Sequence, residues 1–340
     1  MPSSRVFTLS DPEQYQMVLR GAGGIEVIPT AKGVFRAELV QLELLQVWMQ
    51  RCTESLPRVV RGAPKKMSSR VAIEFSIASD QPSFRQHGLD VSHGEIVVND
   101  LDFSHRLTVV GSRFGTMSLP RDALDEVGCD LMDGEVTIPS EVRVIRPPPA
   151  SMARLLLLHD AATGLAKNAP DKLLHPEVAR SLDQALTDAM IRCMTESTWL
   201  EAGAGRRRHA NIIGRFEDFL AAHYDRPVYL AEICRATGAS DGTLRACCHE
   251  HLGMGPMRYL WLRRMHLARR ALNRADPSKT KVTAIATDHG FWELGRFSVE
   301  YNSLFGEMPS ESMRRARAEQ HTPPNRPLDA KFTEFAYLHP

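Results

Sequence analysis

The chain has 340 residues, a formal net charge of +1, 43 % apolar residues and 24 % charged residues. This length allows two or three domains with a sizeable core, and the composition is ordinary for a soluble globular protein. No apolar run reaches the roughly 18 residues that a membrane helix needs, which argues against a membrane-spanning protein.

The N-terminus, MPSSRVFTLSDPEQYQ, lacks the basic and then apolar pattern of a signal peptide. We therefore expect a cytoplasmic protein without a membrane partner, in which cysteines stay reduced. The six cysteines form no CxxC pair, and we interpret them as core residues.

The charge is unevenly distributed along the chain. Residues 206–320 contain 19 Lys and Arg against 13 Asp and Glu, and the remainder has 23 against 28. A basic C-terminal third beside an acidic remainder indicates a nucleic-acid-binding end, although many solvated surfaces carry the same imbalance.

The pattern along the chain predicts an α+β protein. Residues 24–120 contain short runs of β-branched or alternating apolar residues, which predict an antiparallel barrel or sandwich. After RPPPA, apolar residues at three- and four-residue spacing predict helices at 151–166 and 175–193. Residues 201–209, EAGAGRRRH, are typical of a linker, and 210–317 reads as helical throughout.

An internal repeat relates residues 232–256 to residues 284–309. Eight positions recur at an offset of 52 or 53 residues, which is hard to obtain by chance. The pairs are Ile233 and Ile285, Cys234 and Ala286, Gly238 and Gly290, Leu244 and Phe297, Cys248 and Tyr301, Leu252 and Phe305, Gly253 and Gly306, and Pro256 and Pro309.

Each copy of the repeat predicts a helix-turn-helix unit. A short helix ends at a glycine, a tight turn follows, and a second helix with one apolar stripe ends at another glycine. In the first copy, Ser240 is placed to cap the second helix by accepting bonds from its free N–H groups.

The segment TLRACCHEHLG, residues 243–253, offers soft metal ligands. Cys247 and His251 are four residues apart and would share a helix face, but there is no second ligand pair nearby. Cys248 takes the repeat position of Tyr301, on the apolar stripe. We therefore predict that these cysteines fill a helical core and that no metal is bound.

The segment at 256–273 begins with proline and predicts one helix of roughly 26 Å between the two units. A rigid spacer of that length could hold two recognition helices near the 34 Å of one DNA turn. Both helices would then enter successive major grooves of double-stranded DNA.

Residues 210–317 resemble the DNA-binding domain of the AraC/XylS family of bacterial transcription regulators. GFWELGRFSVEYNSLFGEMPSESMRR resembles the family's second-unit signature and is similar to the branch containing the ethanolamine-operon regulator. RRMHLARRAL resembles the linker helix, with Arg264 and Ala268 at matching positions. Cys248 and Cys234 depart from the family's usual aromatic and alanine.

The outward residues near the start of each recognition helix are the predicted DNA contacts. Arg245 and Arg296 are the leading readers, because a guanidinium can bond guanine O6 and N7 together. Thr243 could contact a thymine methyl or a phosphate, and Glu293 could accept from cytosine or only favour the helix start. The full set is Ser240, Asp241, Thr243, Arg245, Trp292, Glu293, Gly295, Arg296 and Val299.

The N-terminal two thirds resembles, more weakly, the sensor arrangement of the same family, a cupin-like barrel followed by helices. Gly94, Glu95 and His105 follow a cupin pattern, but His87, His93 and His105 form no HxH pair. A barrel can still enclose a small-molecule pocket. The two helices could pair subunits, or could only cover the barrel of one subunit.

These observations predict an effector-sensing and dimerising domain at 1–200, β-rich to about 145 and helical after it. A linker at 201–209, the DNA-binding domain at 210–317 and a tail at 318–340 follow. The predicted protein is a homodimeric transcription activator without enzyme activity or cofactor. Its partners would be DNA, an unidentified small-molecule effector and RNA polymerase. The alternative is a metal-dependent cupin enzyme fused to a DNA-binding module.

Overall fold

The computed structural model describes residues 2–19, 25–62, 70–99, 104–124, 143–200, 204–223, 226 and 228–314. The chain divides into two compact units, Met1–Arg263 and Arg264–Pro340. The predicted tail at 318–340 lies outside the described residues, as does Cys129. The predicted α+β class is confirmed, with a β-rich N-terminal part and a helical C-terminal part.

The β-rich part contains two antiparallel sheets. The larger sheet has the strand order β1-β3-β4-β11-β6-β9-β12-β13, and the smaller has the order β2-β5-β10-β7-β8. The bounds are β1 Ser3–Leu9, β2 Glu26–Pro29, β3 Ala37–Glu43, β4 Trp48–Glu54, β5 Arg58–Gly62, β6 Arg70–Ser76, β7 Phe84–Gln86, β8 Leu89–Val91, β9 Ile96–Asn99, β10 Ser104–Leu107, β11 Arg113–Pro120, β12 Arg143–Arg146 and β13 Thr198–Leu200.

Nine helices are defined in the described part of the chain. They are α1 Pro12–Leu19, α2 Pro149–Asn168, α3 Pro176–Thr195, α4 Ala204–Ala222, α5 Leu230–Thr237, α6 Asp241–Leu252, α7 Pro256–Arg274, α8 Val282–Asp288 and α9 Leu294–Phe305. No described helix is both long and apolar enough to cross a membrane.

The two sheets pack face to face. Leu39, Cys52 and Phe114 of the larger sheet share a core with Val27 and Val60 of the smaller sheet. Strands β6 and β11 lie in the middle of the larger sheet, and nearly all of their residues are buried. In β6, Val71, Ile73 and Phe75 lie on the face covered by α2 and α3, and Glu74 and Ser76 on the other face are also buried, so the strand is covered on both faces.

Helices α2 and α3 confirm the two predicted helices and cover the outer face of the larger sheet. Leu155 and Leu186 belong to the same buried cluster as Ile73 and Met117. Asp183 fixes α3 to the turn between β3 and β4, because its Oδ1 accepts the backbone N–H groups of residues 45, 46 and 47 at 3.1, 3.0 and 3.0 Å. Within one chain, the helices therefore act as a cover for the sheet.

His159 of α2 is fully buried against this sheet. Its Nε2 lies 3.1 Å from the carbonyl oxygen of Gln50, and its ring packs edge-on against Phe75. Burial lowers the pKa of His159 from 6.5 to about 4. The imidazole is therefore neutral at pH 7.

Two local features differ from the sequence prediction. Helix α4 begins at Ala204, inside the segment interpreted as a linker, since Ala and Arg favour helix strongly enough to accommodate Gly205. Strand β13 follows α3 and pairs with β12, where only helix was predicted. Three residues without an alternating pattern carry too little signal to identify a strand.

Candidate nucleic-acid interface

The first helix-turn-helix unit consists of α5, a short turn and α6. Helix α5 ends at Gly238, whose φ of 67° is left-handed, and α6 ends at Gly253 with φ 69°. The Oγ of Ser240 accepts the backbone N–H of Thr243 at 3.2 Å. The predicted helix ends and the predicted cap are therefore confirmed.

The second unit consists of α8, a turn and α9. Gly290 has φ 77° in the turn, and Gly306 ends α9 with φ 72°. The residue before α9 is Glu293, whose side chain makes no capping hydrogen bond. The second helices of the two units therefore both end at a left-handed glycine, but only α6 begins with a side-chain cap.

The predicted apolar stripe forms the core of each unit. Leu244, Cys248 and Leu252 are fully buried in the first. In the second, Phe297 and Tyr301 are buried, and the Tyr301 hydroxyl lies 2.7 Å from the Oγ of Ser312. The prediction that Cys248 occupies a core position is confirmed.

The other cysteine positions agree with a core that excludes water. Cys247 is fully buried, Cys234 is half-buried, and burial raises the pKa of the Cys247 and Cys248 thiols. Among the described residues, no group of three His, Cys, Asp or Glu side chains is arranged to hold a metal ion.

A metal-dependent cupin enzyme would need a set of metal ligands in the β region, and the described residues of the cupin pattern do not form one. Glu95, the acidic residue of the cupin pattern, is buried and binds Arg146 at 2.5 Å and the backbone N–H of Ser92 at 2.9 Å. His87 lies in the turn between β7 and β8, and His93 is an exposed residue before β9. The side chain of His105 lies outside the described residues.

The residues predicted to contact DNA lie just before each second helix or in its first two turns, and nearly all of them are exposed. Trp292 and Val299 are 73 % and 70 % exposed, which is unusual for large apolar side chains and leaves them available to a partner. Exposed members of the predicted set are Ser240, Asp241, Arg245, Trp292, Glu293, Gly295, Arg296 and Val299, and Thr243 is half-buried.

Both predicted arginine readers are paired with an acidic residue one helical turn away. Asp241 accepts from Nε and Nη2 of Arg245 at 2.8 and 3.0 Å, and Glu300 accepts from Nε of Arg296 at 2.8 Å. The hydrogen bond from Arg245 lowers the pKa of Asp241. Donating these hydrogen bonds to the carboxylates raises the pKa of Arg245 and of Arg296, so both guanidiniums stay charged.

Each recognition helix has a glycine near its start, and these two glycines form a ninth pair of the repeat beside the eight identified in the sequence. Gly242 and Gly295 are 53 residues apart and hold equivalent positions in α6 and α9. A Cβ at either position would meet nothing within 4 Å. Packing within the described chain therefore does not require glycine there, and the repeat offset alone could have revealed the pair.

The remaining basic residues are only partly described. Arg208 and Arg314 are exposed, and Nε of Arg314 donates to the carbonyl oxygen of Ser310 at 3.1 Å. The side chains of Arg206 and Arg207, and all of Arg315 and Arg317, lie outside the described residues.

Comparison with known proteins identifies this pair of units. Residues 233–315 match a family model described as a helix-turn-helix domain. Over 148 residues the chain is 34 % identical to the probable thc operon regulatory protein of Rhodococcus erythropolis. Over 105 residues it is 31 % identical to the XylDLEGF operon transcriptional activator of Pseudomonas putida. The chain belongs to the AraC/XylS family.

The extent of these similarities is limited. The match covers 43 % of this chain and 45 % of the Rhodococcus protein, and 31 % of this chain and 33 % of the Pseudomonas protein. The chain thus spans less than half the length of these AraC/XylS relatives. The predicted likeness to the ethanolamine-operon branch stays a prediction.

Two solved structures are also similar to the chain. The AraC-like transcriptional activator CuxR is 14 % identical, with 78 % of this chain and 95 % of that chain covered and a TM-score of 0.40. A probable AraC family regulator from Rhodopseudomonas palustris CGA009 is 32 % identical, with 31 % and 97 % covered and a TM-score of 0.28.

Proposed function

We propose that this AraC/XylS family member is a sequence-specific, effector-responsive transcription activator that works in the cytoplasm. It reads two successive major grooves of DNA, one with each helix-turn-helix unit. One observation carries the proposal: two repeated units each expose the N-terminal half of a second helix, with one arginine at the centre of the exposed surface.

The exposed side chains suggest what each unit reads. Arg245 and Arg296 are suited to guanine, because one guanidinium can donate to O6 and N7 together. Val299 and Trp292 offer apolar surface to thymine methyl groups. Ser240 and Thr243 are suited to phosphate or base contacts near the capped start of α6.

The proposed activator binds a small-molecule effector and RNA polymerase. It acts as a homodimer, which the exposed surface of helix α2 supports. Leu157 of α2 is 64 % exposed, and a Cβ on Gly164 of the same helix would meet nothing within 4 Å. Leu157 lies one helical turn from the exposed residues Ala153 and Ala161. An exposed leucine beside small residues is a surface on which a second helix can pack closely.

The dimer can be tested by analytical ultracentrifugation of the Leu157→Glu variant. The wild-type chain should sediment as a dimer and the variant as a monomer. Leu174→Glu is the matched control, since Leu174 is 67 % exposed but lies in the short turn after α2. A monomeric wild-type chain would exclude the homodimer.

The DNA-binding proposal is tested by selecting genomic fragments with the purified full chain and footprinting the selected sites. Two protected half-elements about 10 bp apart are expected. Arg245→Ala should remove protection at one half-element and Arg296→Ala at the other. Arg113→Ala is the control, because Arg113 lies on β11 and pairs with Asp80. Failure to enrich any fragment would exclude this function.

A further inference from the structure

The five-stranded sheet contacts helix α6 of the first helix-turn-helix unit. Both lie within Met1–Arg263, the first compact part of the chain. The contact has two parts, a buried cluster of charges and a set of contacts at the C-terminal end of α6. We call these two parts together the junction.

Four charged side chains form the first part of the junction. Arg61 of β5 binds Glu217 of α4 and lies 2.6 Å from the carboxylate of Glu26 on β2. Arg263 of α7 lies 3.7 Å from that same carboxylate. The hydroxyl of Tyr259 donates to Glu217 at 3.1 Å. These side chains are nearly all buried, with Glu217 only 2 % exposed.

The cluster is balanced on both sides of the contact. The sheet supplies one acid and one base, Glu26 and Arg61, and the helices also supply one of each, Glu217 and Arg263. A buried ion pair contributes little net stability, because the desolvation of its charges offsets their attraction. On separation each side would keep a neutral pair, so the contact can open and re-form without stranding a net charge.

The second part of the junction holds the end of the recognition helix α6. Nη1 of Arg85 on β7 donates to the carbonyl oxygens of His249 and Glu250, at 3.2 and 2.8 Å. These carbonyls lie in the last turn of α6, where the helix dipole favours a cation; the His249 oxygen also accepts the N–H of Gly253 at 3.2 Å. The sheet therefore caps this helix.

Close packing accompanies the cap. A Cβ on Gly88 would lie 2.9 Å from Nε2 of His251, and a Cβ on Gly253 would lie 2.7 Å from Cδ2 of Leu107. His87 and Gly88 form the turn between β7 and β8, both with positive φ, of 49° and 76°. The hairpin tip and the end of α6 thus meet with no room for a further methyl group.

The cap leaves the DNA-reading face of α6 open. Asp241 and Arg245 are exposed, while Arg85 holds the opposite end of the helix. We infer that the junction is a reversible coupling device through which the β region and DNA occupancy of the first unit control one another. This inference rests on the proposed DNA-binding function. The joined arrangement is the one that DNA selects, because Arg85 then holds the end of α6 and fixes the recognition helix with its reading residues accessible.

Coupling between two sites is reciprocal, so it can be measured from the DNA side without the effector. The experiment is hydrogen exchange of the full chain with and without a DNA site selected as above. Saturating DNA should slow exchange in peptides covering β5 and the β7–β8 hairpin by about five-fold or more, the lower range of allosteric coupling.

Two variants identify the junction as the route. Arg85→Ala removes the helix cap at a partly exposed side chain. The double variant Arg61→Gln/Glu217→Gln removes the ion pair that crosses the contact and leaves Glu26 and Arg263 as a balanced pair. Both should still bind the site, but the exchange of β5 and the hairpin should no longer respond to DNA. Arg113→Ala, on a strand outside the junction, should respond like wild type.

Three results would overturn the inference. They are bound DNA with unchanged exchange in the wild-type sheet, faster exchange on binding, or a response that survives in both junction variants. Absence of any specific DNA binding would instead remove the proposed function, and the inference with it.

Discussion

Asp241 holds the guanidinium of Arg245 by two hydrogen bonds, of 2.8 and 3.0 Å, from one helical turn nearer the start of α6. In α9 the order is reversed, because the acid that binds Arg296 is Glu300, one turn nearer the end. The carboxylate therefore draws Arg245 towards the end of its helix that enters a groove and draws Arg296 away from it. We expect the two acids to have opposite roles in DNA binding.

Asp241→Ala should weaken the discrimination between cognate and altered DNA at the first half-element, because Arg245 loses its fixed orientation. Glu300→Ala should instead strengthen binding, because Arg296 is released and one negative charge is lost. Both effects are read from Kd values for cognate and scrambled duplexes at one salt concentration. A parallel change in the two variants would contradict the opposite roles.

Arg296→Ala should cost about 1–3 kcal/mol of specific binding free energy and relax the base preference at one position. A phosphate contact would instead weaken cognate and scrambled DNA equally and lower the salt dependence of Kd. Titrations at three salt concentrations separate the two cases. Unchanged affinity would remove Arg296 from the interface.

Gly242→Ala and Gly295→Ala should change stability and binding in opposite directions. Alanine in place of a helical glycine stabilises the helix by up to about 1 kcal/mol, and a Cβ at either position meets no neighbour. If DNA approaches the backbone closely at these glycines, the same methyl group weakens binding. Thermal unfolding and Kd are measured on each variant. Gly214→Ala in α4, where a Cβ also meets nothing within 4 Å, is the control for stability alone.

Cys248→Val should leave the free energy of unfolding nearly unchanged, whereas Cys248→Ser should lower it by about 1–3 kcal/mol. The side chain is fully buried, so a serine hydroxyl at this position would be desolvated in an apolar core, which costs free energy. Urea unfolding of both variants, with and without a chelator, is the measurement. A chelator that lowers wild-type stability would support a metal role for this segment.

His159 should make the protein less stable in mild acid. Its pKa is about 4 in the folded chain and 6.5 in the unfolded reference, so only the unfolded chain gains a proton between these values. The contribution is complete above about pH 6.5 and is lost as the pH falls towards 4, with a total of about 3 kcal/mol. Between pH 7.5 and pH 4.5, the free energy of unfolding should fall by about 2–3 kcal/mol less in the His159→Gln variant than in the wild type. Urea titrations at the two pH values measure it.

The sequence predicted the helical third closely, because its signals are local. A repeat offset, glycines at helix ends and a serine at a cap are each fixed within a few residues, and Ser240 and Gly238 lie where they were expected. The order of the strands depends on pairings between residues far apart in the chain, such as β11 with β4, and no local pattern encodes them.

The contacts that the sequence did not predict either join residues far apart in the chain or depend on which side chains are exposed. Arg85 and Arg61 lie in strands that no alternating pattern marked, and their partners are more than 150 residues away. The pairing of Arg296 with Glu300 could have been predicted, because residues i and i+4 share a helix face. Which acid an arginine binds depends, however, on which side chains are exposed.

The balanced charge cluster at Arg61 also constrains how this sequence can evolve. A single replacement at Arg61 or Glu217 would leave a buried charge without its partner, which costs several kcal/mol. Replacement of both by apolar residues of similar size would be tolerated, because Glu26 and Arg263 would still face each other. Exchange of the two charges would not, because it would set two acids side by side on the sheet. Among descendants of this chain these two positions should therefore change together, while the exposed arginines that face DNA are free to diverge one at a time as binding sites change.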